Sequence, residues 1–144
     1  MEAPGRLAVL CVAASLFALA GCGSKSDADQ AKDTMKSFLS ALAKGDGKKA
    51  CSLADASGQA RLVAAAKGRL SCEGVIGALS ARLPSAVKTG FENAEIKKVT
   101  VTGNTATING ADITASKGDV SGFLSGGTPT KFVKKGGTWK LSGG

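Results

Sequence analysis

The stretch Val99-Thr100-Val101-Thr102-Gly103-Asn104-Thr105-Ala106-Thr107-Ile108 decides the fold class. Alternating β-branched residues suit a pleated surface, and Gly103-Asn104 is a turn signal between two such runs. Alternation begins at Ala94, with Val99 and Val101 on one face and Lys98, Thr100 and Thr102 on the other. The return strand is predicted over residues 105–113, with Ala106 and Ile108 inward. Residues 117–128 are rich in Gly and Ser and read as a loop, with a short turn at Phe123-Leu124. Residues 130–134 predict a third strand, Gly136-Gly137 turns the chain, and residues 138–142 predict the last, with Trp139 and Leu141 inward.

Upstream of the hairpin the apolar period is that of a helix. Ala31, Met35, Phe38, Leu39 and Leu42 fall on one face of a helix predicted over residues 29–44. Asp33 lies early and Lys44 late, as the helix dipole favours, and Gly45 is the stop. Asp46 can cap a second helix over 47–54, containing Ala50, Cys51 and Leu53. Ser57 can cap a third, reaching about residue 67 with Leu62 and Val63 inward. Ser71 precedes a fourth over 72–83, striped by Val75, Ile76, Leu79 and Leu83, and residues 85–89 add a turn after Pro84. Helices first and an antiparallel meander second define an α+β fold, with N-terminal helices packed on a sheet of about four strands.

At the N-terminus, residues 7–20 are apolar, too few for a spanning helix, which needs about 20. Arg6 precedes them and Leu19-Ala20-Gly21-Cys22 closes them. This layout is similar to a secretory signal, and its end resembles the lipobox of bacterial lipoprotein precursors. The resemblance implies a signal peptide over residues 1–21 and a diacylglyceryl thioether on Cys22, with palmitate-type chains. Residues 22–28 then form a tether, whose extended reach from residue 23 is about 20 Å. The mature protein would sit at the extracytoplasmic face of the cell membrane without spanning it, anchored through membrane lipid on Cys22. Conventional cleavage with Cys22 left as a thiol is one alternative. A retained helix is another, opposed by the polar stretch after Gly21.

The chain has 144 residues, net charge +8 and four cysteines. Cys11 leaves with the signal and Cys22 is acylated, so Cys51 and Cys72 remain as an even pair in an exported protein, which predicts a disulfide. Such a bond closes a loop of about 20 residues, worth roughly 3 kcal/mol in the chain-entropy model. The positive charge serves solubility or contact with anionic headgroups. Export and the lack of interleaved aromatic and basic residues argue against nucleic acid as a partner.

The order of elements resembles the nuclear transport factor 2-like superfamily over most of residues 29–142. Three segments carry the resemblance: Phe38-Leu39-Ser40-Ala41-Leu42-Ala43-Lys44-Gly45-Asp46 with Ala50-Cys51, the hairpin quoted above, and Phe132-Val133-Lys134-Lys135-Gly136-Gly137-Thr138-Trp139-Lys140-Leu141. The resemblance implies one domain over residues 29–144, with helices wrapped on a strongly curved sheet around a cone-shaped cavity. Family members include enzymes, binders and accessory subunits, so the fold alone does not fix a function.

The chain contains no His and no Tyr. Triads of Ser, His and Asp cannot be built, and the polar partners used by the superfamily's enzymes are missing. Asp46 and Asp55 are explained by capping. Asp112, inside a strand-like segment, could enter the cavity or face water. Trp139 could anchor the core or line the cavity, as could Phe38. No metal-ligand spacing occurs, and the glycine-rich residues 118–127 lack the ending of a phosphate loop. They read as a flexible connection or as a lid. The expectation is a non-enzymatic, cofactor-free lipoprotein of the bacterial cell envelope that binds a small apolar or lipid-like ligand. The alternative is an accessory subunit that pairs with an envelope protein or with itself.

Overall fold

The computed structural model describes residues 24–124 and 127–144, so Cys22 and the signal lie outside the described residues. Helix α1 (Asp27–Lys44) starts two residues earlier than its apolar stripe suggests, because Ser26 caps it by accepting from the Asp29 N–H. Residues 27 and 28, expected in the tether, are therefore helical. Met35, Phe38, Leu39 and Leu42 are buried along its inner face. Helix α2 (Gly47–Ser52) is capped by Asp46, and α3 (Ala56–Ala65) by Asp55 rather than Ser57. Helix α4 (Cys72–Arg82) follows its Ser71 cap, and α5 (Ser85–Glu92) runs for two turns where the sequence suggests one.

The expected continuous hairpin is broken in both strands. Strand β1 (Ala94–Ile96) is separated from β2 (Thr100–Thr102), and β3 (Thr105–Ile108) from β4 (Ile113–Ala115), the second gap holding a 3₁₀ turn at Gly110–Asp112. The reason lies in the apolar parity. Ala94 and Ile96 are even-numbered and Val99 and Val101 odd; Ala106 and Ile108 are even and Ile113 odd. A strand exposes alternate residues on alternate faces, so each change of parity requires an irregular segment. The two breaks face each other, and β1 pairs with β4 as a separate antiparallel ribbon, Ile96 opposite Ile113.

Helix α6 (Ser121–Leu124) intervenes before β5 (Thr130–Lys135) and β6 (Thr138–Ser142). The main sheet is antiparallel throughout, in the order β2-β3-β5-β6. Its register places Ala106 opposite Phe132 and Phe132 opposite Leu141. These residues, with Ile108 and Trp139, form the inner face beneath α1, and Ala106, Ile108, Phe132 and Trp139 are within 1% of complete burial. Helices and both sheets contribute to one apolar core. The architecture is α+β, helices on antiparallel sheets, as the sequence indicates.

Two close approaches hold the layers together. Cys51 and Cys72 form a disulfide with a Cα separation of 6.2 Å, tying α2 to the first residue of α4. The backbones are so near here that a Cβ on Gly47 would lie 2.7 Å from the Cα of Glu73. On the other side, the segment leading into α3 covers the outer edge of β6: the Asp55 N–H donates to the Leu141 carbonyl at 2.8 Å, and the Leu141 N–H to the Leu53 carbonyl at 2.8 Å. This satisfies an edge that would otherwise be open to pairing. A Cβ on Gly58 would meet the Leu141 carbonyl oxygen at 2.4 Å. Gly58→Ala is therefore expected to push α3 off the sheet and lower stability by about 1–3 kcal/mol, measurable by urea denaturation.

Candidate functional site

An apolar groove of about 480 Å³ opens between α1, α3, α6 and the end of the main sheet. Met35, Phe38, Leu39 and Leu42 form its wall on α1, and Leu62 and Ala65 its wall on α3. The floor comes from Leu141 on β6 and Phe91 on α5. The space exists because α3 is fastened at its start and stands away from α1 beyond it. Asp55 does the fastening. Its carboxylate accepts from the Ser57 hydroxyl at 2.7 Å and from the Gly58 N–H at 2.8 Å, and pairs with Lys135 at 3.0 Å. Ser57 is shared with β6, its hydroxyl lying 3.0 Å from the Ser142 hydroxyl and accepting from the Gly143 N–H at 3.0 Å.

These contacts hold the Asp55 carboxyl far below the ordinary carboxylate range, the Ser57 hydroxyl contributing most, then the Gly58 N–H, with Lys135 adding to them against the cost of burial. A carboxylate whose folded pKa is depressed stabilises the fold above its unfolded pKa, about 3.9, and that contribution is lost as pH falls through the range below it. Asp55→Ala is expected to cost about 1–2 kcal/mol at pH 7. The difference between variant and parent should shrink steadily below pH 4, as read from denaturation midpoints across that range.

The mouth of the groove is bordered by α6. Asp119 accepts from the Ser121 hydroxyl at 2.7 Å and the Ser121 N–H at 2.9 Å, contacts that lower its pKa and secure the first turn. Phe123 then lies edge-on against the buried Phe91, ring centroids 5.7 Å apart, while remaining half exposed. The turn anticipated at Phe123-Leu124 thus stands over the opening, and both residues border it. Thr128, Thr130 and Ser142 add hydroxyl-bearing residues to the border.

Of the three residues named as cavity-lining from sequence, Phe38 borders this groove. Trp139 and Asp112 do not. Trp139 lies on the inner face nearer the other end of β6, 1% exposed. There the Thr34 hydroxyl reaches its carbonyl at 3.5 Å, and Lys134 Nζ sits 6.0 Å from the ring centre. Its indole N–H makes no hydrogen bond of normal geometry, yet it lies close enough to the Asp27 carboxylate to add, after Lys134, to the lowering of that group's pKa. Asp112 closes the 3₁₀ turn, accepting from the Asn109 amide at 3.2 Å. Sequence reading missed Arg61, Leu62 as a groove wall rather than plain core, and Lys131; their proximity depends on the stand-off of α3, which no local pattern encodes.

Arg61 and Lys131 are the charged side chains bordering the groove; no carboxylate borders it among the described residues. No group of three or more metal-ligating side chains occurs among the described residues, and no described helix is long and apolar enough to cross a membrane. No family model, curated protein or solved structure matches the chain.

Proposed function

We propose that this chain is an exported lipoprotein of nuclear transport factor 2-like type, non-enzymatic and without a cofactor. Cys22 anchors it at the extracytoplasmic face of the cell membrane, and it holds a small apolar or lipid-like ligand in the groove between α1, α3 and the sheet. The observation that carries this reading is the groove itself: about 480 Å³, within the usual range of small-molecule sites, with a predominantly aliphatic and aromatic wall and no carboxylate bordering it among the described residues. Each methylene of a ligand buried there contributes about 0.8 kcal/mol. The lipobox-like Leu19-Ala20-Gly21-Cys22 supports the anchor.

Native mass spectrometry of the mature chain (residues 22–144, Cys22→Ser) should show a co-purified apolar adduct or uptake of the neutral dye N-phenyl-1-naphthylamine. Leu62→Trp, which fills the groove, should abolish dye uptake while leaving the circular dichroism spectrum unchanged. A parent protein that takes up no apolar molecule would overturn the reading. For the anchor, the Cys22→Ala precursor should lose membrane association in cells.

An accessory role is a second reading, favoured by a smaller apolar hollow between α3 and α4 of about 270 Å³, where Leu70 is 42% and Leu79 38% exposed. Exposed apolar patches of this kind mark contact surfaces. Crosslinking in intact cells through residues 70 and 79 would recover a partner, and recovery of monomer alone would count against it.

A further inference from the structure

Resting on the groove reading above, the geometry points to a narrower ligand class: we infer that the groove takes a single-chain anionic amphiphile, its acid head held at the Arg61 end and its alkyl chain directed toward Phe38 and Phe91. The two ends of the groove differ in chemistry. Its charged and hydroxyl-bearing border gathers at one end of the main sheet. Lys131 on β5 is directly opposite Ser142 on β6, and an Arg61 Nη1 donates to the carbonyl of the next residue, Gly143, at 3.4 Å. Thr130 adjoins Lys131 on the same strand. Away from this end the wall is apolar.

Arg61 carries the recognition. Its guanidinium has five donors, and that one long bond to Gly143 leaves most of them for a ligand. Arg61 makes no ion pair among the described residues, and its side chain is exposed at the opening. A planar fork of donors suits a carboxylate or phosphate, which it can hold through two parallel bonds. Lys131 plays a lesser part. Strand alternation puts its side chain on the face opposite Phe132, so it adds positive potential at the rim rather than a contact inside. A neutral chain would leave the arginine no anionic partner, and a cationic head would be repelled by both residues.

The test uses the mature chain (Cys22→Ser) loaded with N-phenyl-1-naphthylamine and displaced by four competitors that share a dodecyl-length chain: dodecanoate, dodecyl phosphate, dodecanol and dodecyltrimethylammonium. The anionic competitors should displace the dye at concentrations about tenfold or more below that of dodecanol, the size expected of a charge-assisted hydrogen bond. The cationic one should be weakest. The better of dodecanoate and dodecyl phosphate identifies a fatty-acid-like or a phosphate-ester source. Arg61→Gln should close the gap between anionic and neutral competitors when each is referred to the variant's own dye affinity, and Lys131→Gln should only narrow it. Equal displacement by all four would overturn the anionic assignment while leaving the groove reading intact. Failure of the parent to bind dye would remove both. A gap that survives Arg61→Gln would overturn the role given to that arginine.

Discussion

Trp139→Ala is expected to destabilise this domain by about 3–5 kcal/mol, the cost of losing a large aromatic from a filled site. The side chain is 1% exposed, and its strand lies under α1, where the Thr34 hydroxyl reaches the Trp139 carbonyl. Since a domain of this size holds only about 5–15 kcal/mol in all, the variant should melt on the order of 15 °C lower and be partly unfolded at 37 °C. The indole N–H makes no hydrogen bond of normal geometry and only adds, after Lys134, to the lowering of the Asp27 pKa, so Trp139→Phe should recover most of the stability. Thermal melts of the three proteins decide the matter: a Trp139→Ala shift below about 5 °C would mean that the site can collapse around the gap.

The second large effect is loss of the Cys51–Cys72 bond. The cysteines are 21 positions apart, which places the expected cost of the double Ser variant at about 3 kcal/mol. What the bond restrains in the folded state is the contact between α2 and α4, where Gly47 meets the backbone of Glu73. Reduction should therefore free α4 and the adjoining α3, and with them one wall of the groove. Urea denaturation with and without dithiothreitol provides the measurement. The parent should shift on reduction by about as much as the double variant differs from it, and the double variant should not shift at all. A parent insensitive to reductant would show that the bond contributes nothing.

The helical layer was legible because α1, α2 and α4 each announce themselves in an apolar stripe and in the residues that bound them, Gly45, Asp46 and Ser71. The stripe of Met35, Phe38, Leu39 and Leu42 stands where it was expected, and so does the strand pair around Gly136-Gly137. The division of the sheet was legible in principle through the parity of Ile96 against Val99 and of Ile108 against Ile113, although alternation read locally joins them. The groove was not legible. Its apolar residues are indistinguishable from core residues in sequence, because both need only an inward face. Whether α3 fills the space or stands off depends on Asp55, Ser57 and Gly58 fixing its start against β6, contacts between positions more than 80 apart.

The ion pair between Asp27 and Lys134, 2.6 Å long, fixes more than the start of α1. It sets the first turn of that helix beside the β5–β6 turn, and the Lys134 N–H bond to the Asn104 carbonyl brings the β2–β3 turn to the same pole of the molecule. The groove border at Lys131 and Ser142 lies toward the other end of the same strands, about 10 Å from Lys134 along β5. On the proposed reading, an acyl anchor on Cys22 would stand the domain on its hairpin tips with the opening turned outward. Cargo would then be exchanged with the space beyond the membrane rather than drawn sideways from the leaflet beneath.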